Sequence, residues 1–273
     1  MKILFYGNCQ PGALREMLNM LNHDYICCHN TDITQNDFLN KLLMYDIIIT
    51  QPIADNYRDK PYLSTKFVIE HCKTNCKIII VDIIYFNFYY FDLSYTQFNN
   101  SRLSKPCDYH YNLMQECYKK GNNIKYYIDN IVNNVHLKSN VELENIANNS
   151  LCELKKRYEQ NQQKYVGSNI QFIYTGDYIK ENYKHKLLFY SMNHPSKYVL
   201  QFVCESILKI LDIPTNTINY EINPLSQTKC IIYKCIQSCV HFDINKCEKY
   251  MCAKTSINEI CELYYNTYNE IKF

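Results

Sequence analysis

Short, nearly unbroken apolar runs alternate along the chain with longer stretches in which apolar residues recur every three or four positions. Five runs, at residues 2–6, 46–50, 77–83, 171–174 and 187–190, read as strands, and 25–28 is a further one. They lack the in–out alternation of a half-exposed strand, a pattern expected of parallel strands covered on both faces. Helical spacing is read at 11–21, 34–45, 63–73, 108–120, 141–164 and 195–211. Pro11 is a favoured first-turn residue. Phe38, Leu42 and Tyr45 share one face of the second helix, and Val199, Val203, Ile207 and Ile210 recur at helical spacing in the last. The charged second half of 141–164 (ELKKRYEQNQQK) places that helix at the surface on one side. Strand–helix alternation predicts an α/β three-layer sandwich with a mostly parallel central sheet over residues 1–211. Beyond Asp212, Pro214 and Pro224 interrupt the pattern, 230–235 reads as a strand and 257–271 as a final helix. Residues 212–273 are therefore expected to be a small C-terminal extension packed on the core.

Composition narrows the function classes. A chain of 273 residues suits one large domain or two small ones, and 47% hydrophobic residues supply a real core. A net charge of +2 implies no broad basic surface, so nucleic acid is not an expected partner. No apolar run is long enough to span a bilayer, which excludes a membrane partner on this reading. MKILFYG turns polar too early for a signal peptide, so a cytoplasmic protein is expected. The 15 cysteines are odd in number and scattered through strands and helices, which favours reduced, buried thiols over a disulfide frame. Cys235, Cys239, His241, Cys247 and Cys252 lie close in sequence, but no CxxC pair occurs and no metal site is expected. Twenty-seven tyrosines, five glycines and abundant Asn, Ile and Lys fit an AT-rich coding sequence, which lowers the information in any single Tyr or Asn.

The candidate chemistry sits where strands end. Gly7-Asn8-Cys9-Gln10 follows the first strand and precedes a helix, so free backbone N–H groups there face whatever binds. Asn8 and Gln10 would add side-chain donors. Cys9 reads either as a nucleophile, its pKa lowered by the helix N-terminus, or as a packed wall of a tight turn. Met192-Asn193-His194-Pro195 repeats the layout with a histidine, the usual general base near neutral pH; the plainer reading is a packed helix-capping corner. Gln51 ends the strand at 46–50 on the same sheet edge as Cys9. Tyr57, Arg58 and Lys66 follow it, and the two cations are suited to phosphate. The aromatic run at 84–93, with Tyr89 and Asp92, reads as a ligand wall or as core, and His110 is a second histidine.

Four ordered blocks carry a resemblance: YGNCQ; DIIITQPIADNYRDKPYLST; the pair IIYFNFYYFDLSY and CDYHYNLM; and FYSMNHPSKYVLQFV, spanning roughly residues 1–211. Together the chain resembles the WcbI-type family of polysaccharide-biosynthesis acetyltransferases. The resemblance implies an SGNH-hydrolase-like, flavodoxin-like fold, binding of coenzyme A, and acetyl transfer from acetyl-CoA to a sugar or nucleotide-sugar acceptor. Cys9 falls where SGNH hydrolases keep their serine, Gln51 at an oxyanion-site position, and His194 in the late histidine block. On this basis Cys9 and His194 are the expected catalytic residues. Gly7, Asn8, Gln10, Gln51, Tyr57, Arg58 and Lys66 are expected around CoA, and Asn193, Tyr89, Asp92 and His110 around the sugar. One departure matters: Ser191, not Asp, stands three residues before His194, which argues against a hydrolytic relay. An SGNH-like carbohydrate esterase and a non-catalytic sugar- or nucleotide-binding module are the alternatives. A tyrosine-rich surface is compatible with a homodimer.

Overall fold

The computed structural model describes residues 1–18, 23–30, 32–244 and 250–273. The chain forms two compact units whose segments interleave: residues 1–84, 152–180 and 195–225 make the first, and 85–151, 181–194 and 226–273 the second. In chain order the helices are α1 (Cys9–Met17), α2 (Gln35–Leu42), α3 (Thr65–His71), α4 (Asn112–Lys119), α5 (Ile124–Tyr127), α6 (Asn140–Lys164), α7 (Gly176–Asn182), α8 (Lys197–Leu211) and α9 (Ile257–Ile271).

The first unit is built on five strands: β1 (Ile3–Gly7), β2 (His23–Cys27), β3 (Ile47–Thr50), β4 (Lys77–Val81) and β5 (Ile170–Ile173). All pair in parallel, in the order β2-β1-β3-β4-β5. Residues 3–6 of β1 are fully buried, as the unbroken apolar run requires. Leu4, Tyr6, Ile48, Ile78 and Ile80 form one face, covered by Phe38 and Leu42 of α2, Val68 of α3 and Tyr165 just after α6. The Tyr6 hydroxyl, inside this layer, donates to the Leu63 carbonyl at 2.6 Å, so burying it leaves no unpaired polar group. Helices α1 and α8 pack on each other. This is the three-layer α/β sandwich with a parallel sheet that the pattern predicts. Chain order reverses between β1 and β3, which makes the carboxyl ends of those two strands the topological switch point, where open α/β sheets take ligands.

The second unit has an aromatic core of Phe86, Phe88, Tyr89, Tyr111, Tyr127, Phe189, Tyr264 and Tyr268. Its strands are only two or three residues long, such as Leu93–Ser94 paired with His110–Tyr111. Helix α9 opens with a capping box between Ser256 and Glu259.

Several boundaries differ from the sequence reading for identifiable reasons. Asn8 caps α1, so the helix starts at Cys9 and Pro11 sits inside its first turn; the expected end at Leu21 lies outside the described residues. The run at 77–83 stops at Val81 because Asp82 turns its carboxylate to Thr175. Helix α4 begins only at Asn112, since His110 and Tyr111 are extended. The run at 187–190 is not a strand of the central sheet; Phe189–Ser191 leads into a local turn, and a short apolar run does not by itself specify its partners. Residues 230–235 form no strand either. Their N–H groups go to separate acceptors, Cys230 N to the Tyr190 carbonyl at 2.7 Å and Ile231 N to Tyr111 Oη at 2.8 Å, rather than to a ladder.

Gly7 is the tightest point of the switch region. Its φ is +152°, and a Cβ there would stand 2.7 Å from Pro11 Cγ and 3.0 Å from Gln51 Cδ. Gly7→Ala should therefore cost about 1–3 kcal/mol of stability, through backbone strain and overpacking together. Urea unfolding measures this directly; an unchanged midpoint would show that the corner is looser than described.

Candidate functional site

The first unit places Asn8, Cys9, Gln51 and Asp82 at the carboxyl ends of β1, β3 and β4. Asn8 Oδ1 accepts the Gln10 N–H at 2.8 Å as the helix cap, so this oxygen is committed to α1. Tyr25 Oη donates to the Asn8 carbonyl at 2.7 Å and fixes the turn from the β2 side. Gln10, expected to offer its amide to a ligand, is instead a structural clamp. It is buried, its Nε2 donates to the Ile84 carbonyl at 2.7 Å, and its Oε1 accepts the Ile84 N–H at 3.1 Å. The clamp ties the start of α1 to the segment just beyond β4.

Cys9 is the first residue of α1, but its thiol does not have the lowered pKa expected of a helix N-terminus. Burial pushes it up to about 11, with its own backbone N–H pulling the other way. A helix terminus contributes about 0.3–1 kcal/mol to a nearby anion, less than the cost of ionising this half-buried thiol. Cys9 is a neutral thiol at pH 7.

Gln51 is buried beside Gly7, and its Oε1 has no hydrogen-bond partner among the described residues. Asp82, which the sequence reading passed over, has the same character. Its Oδ2 accepts both the N–H and the hydroxyl of Thr175 at 3.0 Å, while Oδ1 is buried with no hydrogen-bond partner among the described residues. A carboxylate directly after the run KIIIV was the available signal. Burial raises its pKa to about 7.

Three further residues expected around CoA lie beyond the end of β3. Tyr57 Oη lies 2.6 Å from His29 Nδ1, and Arg58, at φ +53°, donates to the His29 carbonyl at 3.2 Å. Lys66 lines a surface groove with Asp55, Glu70 and Lys164, where it pairs with Glu70 at 3.9 Å and Lys164 pairs with Asp55 at 2.7 Å.

In the second unit His194 anchors a chain of hydroxyls. Its Nε2 is 3.1 Å from Tyr109 Oη, and its Nδ1 is hydrogen-bonded to Thr228 Oγ1. Tyr109 Oη donates to Asn193 Oδ1 at 2.7 Å, Ser191 Oγ donates to the same oxygen at 3.2 Å, and Asn193 Nδ2 donates to Tyr95 Oη at 2.8 Å. The Arg102 guanidinium covers the Tyr95 ring at 3.9 Å and pairs with Asp108 at 3.0 Å. Burial lowers the His194 pKa to about 4, so the imidazole is neutral at pH 7 and able to accept a proton. Sequence reasoning found His194 and Asn193 but missed Tyr95 and Tyr109, because tyrosine is too common here to stand out, and Thr228, which stands 34 residues from His194 in the chain.

Three residues expected around a sugar are interior in this structure. Tyr89, 1% exposed, donates its hydroxyl to the Tyr183 carbonyl at 2.5 Å, with the Lys186 carbonyl 3.0 Å away. Asp92 accepts the Tyr233 hydroxyl and the Leu113 N–H. His110 is fully buried between Tyr268 Oη and the Leu103 carbonyl. Each is held in an aromatic core where a sugar has no access. Among the described residues no three His, Cys, Asp or Glu side chains gather as a metal site, and Cys247 lies outside them.

A parallel five-stranded sheet flanked by helices, with a thiol corner at its switch point, defines an open α/β protein. The family model described as polysaccharide biosynthesis enzyme WcbI matches residues 2–216, and the chain belongs to that family. A solved WcbI structure superposes with a TM-score of 0.79 at 19% sequence identity, covering 99% of this chain and 92% of that one. It is described as a novel polysaccharide biosynthesis enzyme, in a native form without a disulfide bond between coenzyme A and one of its cysteines. At that identity the likeness shows the fold. No curated protein matches the chain. No helix among the described residues is long and apolar enough to cross a membrane.

Asp82 gives this corner a pH signature. Its ordinary value is 3.8 and its folded value about 7, so between the two the folded protein holds a proton that the unfolded chain has released. Stability from this group is complete below the unfolded value and is lost as pH rises through the folded one. The stability advantage of Asp82→Asn over the parent protein should therefore grow by on the order of 2–3 kcal/mol between pH 5 and pH 8. Denaturant unfolding at the two pH values checks this; equal gains at both would contradict a raised Asp82 pKa.

Proposed function

We propose that the chain is a coenzyme A-dependent acyltransferase that moves an acetyl group from acetyl-CoA to a hydroxyl or amine of a sugar, carried on a nucleotide or a glycan, in the cytoplasm. The observation that carries this reading is the Cys9 corner. It sets a neutral thiol in the first turn of α1 at the switch point, with the Gln51 side chain beside it at the end of β3. The WcbI structure is described with reference to coenzyme A and a cysteine of that protein, and Cys9 is our counterpart here.

Roles are assigned to each corner by its own chemistry. The Cys9 backbone N–H and the Gln51 amide stabilise the oxyanion that forms when the thioester carbonyl is attacked. The high pKa of Cys9 favours a thiol that shapes the pocket over one that is itself acylated, because CoA already delivers an activated acyl group. In the second unit, neutral His194 is the group suited to take up the proton of an attacking hydroxyl or amine. Asn193 orients the hydroxyls around it.

Thermal unfolding of the purified protein with CoA and acetyl-CoA, against ATP, NAD and buffer, tests the cofactor. A ligand at about 100 times its dissociation constant adds about 2.7 kcal/mol, and the midpoint should rise with the CoA species alone. No rise with CoA would end this reading. His194→Ala should lower turnover by about 10²–10⁴-fold and leave the CoA-induced rise intact; full turnover in that variant would remove His194 as the base.

A further inference from the structure

The hydrogen-bond chain around His194 has a direction that follows atom by atom. Asn193 Nδ2 donates to Tyr95 Oη, so Asn193 Oδ1 is the acceptor end, and it takes the Tyr109 hydroxyl at 2.7 Å. A phenol has one proton. Having given it to Asn193, Tyr109 Oη is the acceptor in its 3.1 Å contact with His194 Nε2, and Nε2 therefore carries the ring hydrogen. A neutral imidazole has only one N–H, which leaves the lone pair on Nδ1. Thr228 Oγ1 is bonded to Nδ1, so its hydroxyl is the donor. The nitrogen able to take up a proton is thus Nδ1, and a half-buried hydroxyl already stands on it.

We infer that Thr228 is a further catalytic residue, whose hydroxyl passes the acceptor's proton to Nδ1 of His194. The inference rests on the acyl-transfer reading above. In the step, the acceptor O–H or N–H bond breaks and its electron pair attacks the acyl carbon. The released proton bonds to Thr228 Oγ1 while Thr228's own proton moves to Nδ1, giving an imidazolium. When the carbon–sulfur bond breaks, its electron pair leaves on the CoA sulfur, which takes up one proton, and His194 ends neutral. Thr228 stands beyond the stretch matched by the family model, at the end of a 3-10 turn over Ser226–Thr228.

Thr228→Val removes the hydroxyl at nearly constant shape, and Thr228→Ser keeps it. With acetyl-CoA as donor and water as acceptor, release of CoA thiol should fall about 10–10²-fold in kcat for Thr228→Val, within the reach of one proton-transfer group. KM should be unchanged, and Thr228→Ser should keep most of the rate. Adding His194→Ala to Thr228→Val should cost little more, because the two act as a unit. Nitrogen NMR of the imidazole, which needs no ligand, should show His194 with hydrogen on Nε2. The Nδ1 resonance should move in Thr228→Val and stay in Thr228→Ser. Wild-type kcat in Thr228→Val, hydrogen on Nδ1 in the parent protein, or an acetyl group trapped on Thr228 would each overturn the relay. No thiol release from the parent protein counts against acyl transfer itself, and the spectra then decide the Thr228–His194 bond alone.

Discussion

Burial of the central strands on both faces is the constraint on which the first unit depends. Strands β1, β3 and β4 are almost wholly apolar, because a polar side chain along them must find an internal partner, as the Tyr6 hydroxyl does in Leu63. Polar groups are displaced to the strand ends, and the carboxyl edge collects Asn8, Thr50, Gln51, Asp82 and Thr175. The same packing makes the edge crowded. Gly7 is squeezed between Pro11 and Gln51, and the Gln10 side chain fills the gap to Ile84 with two hydrogen bonds. An edge that is both polar and dry is one in which a few donors and acceptors act strongly.

Dryness also sets the protonation states. Cys9 is held as a thiol, Asp82 is drawn toward its neutral acid, and in the other unit His194 is held as a neutral imidazole. In all three the neutral form wins because burial, near complete for Asp82 and partial for Cys9 and His194, disfavours the charge, and no formal charge pair is needed. A neutral thiol suits a pocket wall better than a nucleophile, while a neutral imidazole suits proton uptake. The absence of an Asp three residues before His194 fits this arrangement. The imidazole is oriented by hydroxyls, Tyr109 on Nε2 and Thr228 on Nδ1, and Ser191 is turned to Asn193.

Much of the fold was legible because parallel strands and amphipathic helices write strong local patterns. The four sheet strands at residues 2–6, 46–50, 77–83 and 171–174, and the last helix at 257–271, lie within a residue or two of where the pattern puts them. The same logic misplaced 187–190 and 230–235, where apolar runs satisfy their backbone through single bonds to distant segments rather than a ladder. The interleaving of the two units left no mark in composition, since no linker separates them.

What the sequence alone determined is the strand–turn–helix corner at Gly7-Asn8-Cys9, the presence of His194 and Asn193 at a second corner, and the family. These are set by residues adjacent in the chain. Only the tertiary structure decided what each residue does. It spent Gln10 on a clamp, put Tyr89, Asp92 and His110 in the interior, reversed the expected shift of Cys9, and brought Asp82, Tyr109 and Thr228 to the polar groups they serve. The reason is physical. Burial and hydrogen-bond partners are properties of segments tens of residues apart, and no local pattern of residues encodes which of them will exclude water from the others.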